Sequence, residues 1–344
     1  MARHSGRSRS SQARKPRHCT APEPLGRAPQ VKLEIRIEEL DERTFQAIDA
    51  VAGQIQQRIE QATSLDELRL LTTKAHLLLA MKSTHRSIGR LVMGSTETAI
   101  DALPLTRMQL ERCFLALLIE DQPGRWYKRY RKNAWKAFAE KFFRDQHCLG
   151  HLEPYDAYFD PNGPGIQTLR AFSREMDVWE DELQTLRIMI RGEEMDPRWD
   201  KRFIADMPTP GKALHVLEVE THRRLARMLY PYYDNLSHFS HGGLAGVMEA
   251  AILRNDPVSG EADGQISRDE FFRSSVLEQT LPLSYVSMLF VATLHCAAQP
   301  LDQEIHQLLA RTWQPYHSDG SPMGIALWDG WAGNALAAQA QPAE

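Results

Sequence analysis

The chain reads as an all-α, single-domain multi-helix bundle, and three observations predict it. Apolar residues recur at three- and four-residue intervals through most of residues 41–312, the period of amphipathic helices. Helix signals bracket these runs: Ser64 followed by Glu67 is a capping box, and Gly94 is a stop. No stretch offers several alternating strands, and no self-similar period marks a repeat array. With 344 residues, 42% of them apolar and 25% charged, the chain can bury one large core.

Residues 1–30 are rich in Arg, Ser and Pro and poor in large apolar side chains, so a disordered basic tail is expected. It reads either as a functional basic arm or as a stretch ahead of the true start. The helical domain is expected over 31–320, and an irregular C-terminal tail over 321–344. Val31, Leu33, Ile35 and Ile37 alternate with polar residues, which suggests a short strand or an extended lead-in. Helices are then predicted at 41–61 (Phe45, Ile48, Val51, Ile55 and Ile59 on one face), 64–93, 103–120, 125–144 and 167–191. Further helices are predicted at 210–229, 231–241, 243–254, 268–298 and 302–312. Pro231 is read as a helix start and Gly242-Gly243 as a stop.

Charge and cysteine usage narrow the class. The net charge is −4, but the tail carries seven basic residues against Glu23 alone, leaving a body of −10. Such a body is no general nucleic-acid binder. Cys19, Cys113, Cys148 and Cys296 form no CxxC pair, so neither a zinc ribbon nor a disulfide framework is indicated, and a cytoplasmic protein fits best. The basic start lacks the apolar segment of a secretory signal. Residues 279–301 contain no Asp, Glu, Lys or Arg and approach spanning length. Ser284, Ser287, Thr293 and His295 within the run, and Glu278 and Asp302 at its flanks, argue for a buried core helix and against a membrane span.

Tyr233, Ser237 and His241 fall at i, i+4 and i+8, one polar stripe over two helical turns. Arg107 and Glu111 lie one turn apart on the apolar helix 103–120, where charges are costly unless they pair. The two readings are a buried ion pair fixing helix register, and a composite pocket in which Arg107 and Glu111 meet the Tyr233/Ser237/His241 stripe. A histidine near a helix C-terminus favours the imidazolium, which suits contact with an anion or acid catalysis. No G-x-S-x-G turn surrounds Ser237, which speaks against a nucleophile. His238 and His241 at i, i+3, with Glu218, Glu220 and His222 upstream, match neither H-E-x-x-H nor a repeated Glu-x-x-His. No metal and no cofactor are therefore expected.

Arg125, Lys128, Arg129, Lys132 and Lys136 share one arc of the helix 125–144, opposite Trp126, Tyr127, Tyr130, Trp135, Phe138 and Phe142. The arc reads as a solvated face paired with acids such as Glu180, Asp181 and Glu182, or as a phosphate-contacting stripe for RNA. The aromatic side is expected in the core, so base stacking is not predicted.

The Arg107-x3-Glu111 helix, the aromatic and basic helix 125–144, and Tyr233-x2-Leu236-Ser237-x3-His241 together resemble a bacterial family of all-helical proteins of unknown function, over roughly residues 70–300. That resemblance implies a helical bundle and no established activity. More distantly the chain resembles the HEPN superfamily, where an Arg-x4–6-His motif serves RNA cleavage. Arg69 to His76, Arg144 to His151 and Arg311 to His317 meet that spacing, and none includes a residue of the stripe. The expectation is a protein whose Arg107, Glu111, Tyr233, Ser237 and His241 bind a small anionic or nucleotide-like ligand. The alternatives are a metal-independent ribonuclease-like effector and a pure protein-interaction module.

Overall fold

Ser64 opens the first long hairpin. Its hydroxyl accepts the Glu67 N–H at 3.2 Å, while the Glu67 carboxylate reaches back to the Thr63 N–H. Two orphan donors of the helix start are satisfied at once. The computed structural model describes residues 37–176, 178, 207–240, 268–297, 302–318 and 321–339, and all regular structure among them is helical. In chain order the helices are α1 (Ile37–Gln61), α2 (Leu65–Met93), α3 (Thr96–Ala99), α4 (Ala102–Asp121), α5 (Pro123–Leu149), α6 (Tyr155–Phe159) and α7 (Pro164–Glu175). After them come α8 (Pro210–Val216), α9 (Glu220–Ser240), α10 (Arg268–Ala297), α11 (Gln303–Ser318), α12 (Pro322–Leu327) and α13 (Gly333–Gln339).

The all-α class stands. The predicted tail 1–30, the helix 243–254, the acids Glu180, Asp181 and Glu182, and His241 fall outside the described residues.

Two apolar helices form the centre. α4 packs against α10, α9, α2 and α5, and α10 also meets α1 and α2. Residues 273–297 are long and apolar enough to cross a bilayer, but 89% of the apolar window is buried inside the protein. It is a core helix here. A satellite core lies between α5, α6 and α7, where Trp135, Phe142, Phe143, Phe159 and Leu169 pack together. The Trp135 indole N–H donates to Ser173 Oγ at 2.8 Å, satisfying a polar atom that burial would otherwise strand.

Three expectations about these helices are corrected. Ile37–Leu40 belong to α1 and not to a strand. The helix predicted over 210–229 breaks at Leu217–Val219 because Asp121, at the end of α4, accepts the Glu218 and Val219 N–H groups at 2.9 and 2.8 Å. Its carboxylate also meets His222 Nδ1, and so caps the start of α9. Pro231 does not open a helix, for α9 runs through it and forgoes one backbone bond. Pro315 likewise sits inside α11.

The C-terminal stretch is not irregular. Ser321 caps α12 by accepting the Gly324 N–H, Pro322 takes the first turn, and a π-helical turn (Trp328–Ala332) leads into α13. Met323, Leu327, Trp331 and Leu336 are buried, and Trp331 packs on Phe290 of α10 at 5.2 Å. Three glycines in this short stretch (Gly324, Gly330 and Gly333) hide its helical period from a propensity reading.

Candidate functional site

Arg107 leaves α4 on the side that α9 covers. Its Nη2 donates to Tyr233 Oη at 2.8 Å and lies 3.0 Å from Glu111 Oε1. The Tyr233 hydroxyl in turn reaches Glu111 at 3.5 Å, and the guanidinium stands 5.0 Å from the Tyr233 ring centroid. Phe114 packs edge-on against the same ring at 5.9 Å. Two segments separated by 126 positions therefore meet in one hydrogen-bonded group.

Exposure differs along this seam. The Arg107 side chain is 16% exposed and the Glu111 side chain 39%, so the pair lies at the mouth of the α4–α9 contact and not in the core. Arg107 Nε is buried and has no hydrogen-bond partner among the described residues. A buried guanidinium N–H without an acceptor is an uncommon arrangement in a folded protein.

Ser237 lies on the same stripe one turn beyond Tyr233, but its hydroxyl donates to the Tyr233 carbonyl at 2.9 Å. That proton is engaged within α9, as is common for a helical serine. The backbone of His238 belongs to α9. The structure thus joins Arg107, Glu111 and Tyr233, with Ser237 adjacent, and does not describe His241.

The basic helix differs from its expected form. Lys128 pairs with Asp66 at 2.6 Å, Lys136 approaches Glu140 at 3.7 Å, and Arg125 and Arg129 lie over the Trp126 ring at 4.4 and 5.3 Å. Arg129, Lys132 and Lys136 are half-buried, while Ala134, Ala137 and Phe138 are exposed. The outermost arc of α5 is therefore partly apolar. Of the residues at HEPN-like spacing, three have side chains with partners outside their own pair. Arg69 donates to the Glu175 carbonyl, Arg311 to the Gln307 carbonyl, and His317 meets Asp329 at 3.0 Å.

Two polar groups that the sequence reading did not single out occupy the core. In the first, His85 Nε2 lies 3.0 Å from Asp41 Oδ1 and His85 Nδ1 lies 2.9 Å from Ser284 Oγ. Ser284 Oγ also accepts the Gln109 side-chain N–H at 3.1 Å, and Gln109 Oε1 accepts from Arg112. The Gln109 N–H can only donate, which leaves the serine proton available to His85 Nδ1; in that tautomer the imidazole donates Nε2–H to Asp41. Burial pushes the Asp41 carboxyl up, but the hydrogen bonds from His85 and Tyr285 more than offset it and hold it below the usual carboxylate range. The order carboxylate–imidazole–hydroxyl is that of a hydrolytic triad. Ser284 is fully buried, however, so this chain ties α1, α2, α4 and α10 together and does not present a nucleophile.

In the second group, the Lys74 ammonium and His295 Nδ1 both lie 2.6 Å from Glu120 Oε1. The Lys74 and Glu120 side chains are 6% and 5% exposed, and His295 is sealed. Burial pushes the His295 pKa down despite Glu120, so the imidazole donates Nδ1–H in its neutral form. Burial pushes the Glu120 carboxyl up, and the His295 hydrogen bond and the Lys74 ammonium together outweigh that and hold it low. Lys74 is then the counter-ion.

Burial raises the Cys113 and Cys296 thiols to about 12, so both behave as small hydrophobes. Among the described residues no three His, Cys, Asp or Glu side chains are grouped so as to hold a metal ion. Compared with known proteins, the chain matches no family model, no curated protein and no solved structure.

Proposed function

We propose that the α4–α9 seam receives the anionic group of a small ligand, with the phosphate of a nucleotide-like molecule as its simplest form. One observation carries this reading: Arg107 stands over the Tyr233 ring with a buried Nε–H that has no acceptor among the described residues. Guanidinium groups bind phosphate and carboxylate through paired parallel N–H donors. In Arg107, Nη2 is engaged and Nε is left over. Glu111, the more exposed member of the group, holds the position of an internal anion that an incoming phosphate displaces. Tyr233 orients the guanidinium, and Ser237 borders the same stripe.

Isothermal titration with AMP and inorganic phosphate tests this, because the two carboxylate and guanidinium changes have opposite signs. Arg107→Gln abolishes binding. Glu111→Gln tightens it by about 3- to 10-fold, since an exposed ion pair that competes with the ligand is worth about 1 kcal/mol. If Glu111→Gln weakens binding as much as Arg107→Gln does, Glu111 is not a displaceable anion. If neither probe binds the wild-type protein, the seam is a structural network only.

A further inference from the structure

A cleft of about 290 Å³ opens where α1, α2 and the start of α5 meet, remote in sequence from Tyr233. Its floor is Leu71, Tyr127 and Lys74, all buried, and Arg58, Leu70 and Gly124 form its walls.

The acidic side chains of the lining are already engaged. Asp66 accepts from the Tyr127 hydroxyl and pairs with Lys128. Glu67 caps α2 through Thr63. The cations are less fully matched. Arg58, half-buried at the end of α1, makes no hydrogen bond or ion pair among the described residues, and Lys74 has three donor protons with Glu120 as its acceptor. The cleft also holds the first turn of α5, where Gln122 provides no side-chain cap and the helix dipole is positive. What remains after internal pairing is the Arg58 guanidinium, with the Lys74 ammonium beside it, above an apolar floor.

We infer that this cleft is a second binding site, for a small organic carboxylate with an aliphatic or aromatic body. The carboxylate lies between the Arg58 guanidinium and the Lys74 ammonium, and the apolar body covers Leu70, Leu71 and the Tyr127 ring. At roughly 30 Å³ per water-sized unit, the volume suits a ligand of about ten non-hydrogen atoms. Octanoate has that size. The site is independent of the α4–α9 seam, because no residue lines both.

Calorimetric titration of the full chain with sodium octanoate tests the inference, with octanol as the uncharged control. Saturable binding of octanoate is expected, and octanol is expected to bind at least tenfold more weakly. Arg58→Gln should weaken octanoate about 10- to 100-fold, the range for losing a charge-assisted contact. Arg58→Lys should keep most of the affinity, and Arg107→Gln should leave it unchanged. Three results overturn the inference: no saturable binding by the wild-type chain, equal affinity for octanol, or an Arg58→Gln variant that binds as the wild type does while its unfolding midpoint is normal. Loss of octanoate binding in Arg107→Gln would instead place the ligand at the seam.

Discussion

Replacing Glu120 with Gln removes the charge from a buried pair while leaving its shape almost unchanged. In the wild-type protein the Lys74 ammonium lies 2.6 Å from Glu120 Oε1, with both side chains nearly sealed from water. Glu120→Gln strands that ammonium. Neutral His295 cannot supply the missing negative charge, although the Gln carbonyl oxygen can still accept its Nδ1–H. Breaking one side of such a pair costs about 3–5 kcal/mol, whereas an exposed pair is worth 1 kcal/mol or less.

The assay is urea unfolding at neutral pH, comparing midpoints at constant slope. A loss below about 1 kcal/mol would refute the reasoning, because the group would then behave as if solvated. The double variant Lys74→Met with Glu120→Leu should recover most of the loss, since an apolar replacement of a buried pair is often neutral or stabilising.

The pH dependence of the wild type follows from the same group. The folded pKa of Glu120 is depressed, so the native state binds fewer protons than the unfolded chain below about pH 4.3, and stability falls there as pH falls. His295 is depressed as well, so its contribution is complete above about pH 6.5 and is lost as pH falls through the folded pKa. Both slopes have the same sign, and Glu120→Gln should flatten the acid limb.

Three further outcomes are expected. Ser284→Ala leaves the Gln109 N–H and the His85 lone pair without their shared partner, and should cost about 1–3 kcal/mol in the same urea assay. Alkylation of the native protein followed by mass spectrometry should label exposed Cys148 while sparing Cys113 and Cys296, which react only once urea unfolds the chain. Pro231→Ala restores a backbone donor inside α9 and should raise stability by about 1–3 kcal/mol, measured by thermal unfolding.

The helical class was legible because its signals are local: the Ser64–Glu67 box and the spacing along α1, α2, α4 and α10 all act within one element. Arg107 and Glu111 were legible for a different reason, as charges on an otherwise apolar helix, and Tyr233 and Ser237 as a stripe at i, i+4. The buried groups around Glu120 and His85 were not. Their partners lie 175 and 199 positions apart, so no local pattern separates a satisfied core histidine from an exposed one. A weak signal was present. Ser284 and His295 interrupt the uncharged stretch 279–301, and polar atoms on a fully buried helix require partners. The break before α9 and the pairing of Lys128 with Asp66 are also tertiary events, set by Asp121 and α2 respectively. The C-terminal helices were missed where glycines outweighed a correct apolar spacing.

The reading of the α4–α9 seam is tested most directly by arginine side-chain N–H resonances in heteronuclear NMR during titration with phosphate. The Arg107 Nε–H should appear as a protected signal in the free protein and shift progressively to saturation, in step with the Glu111 backbone N–H and ahead of the exposed arginines. A signal that exchanges freely with water and stays fixed while phosphate is added would contradict the account.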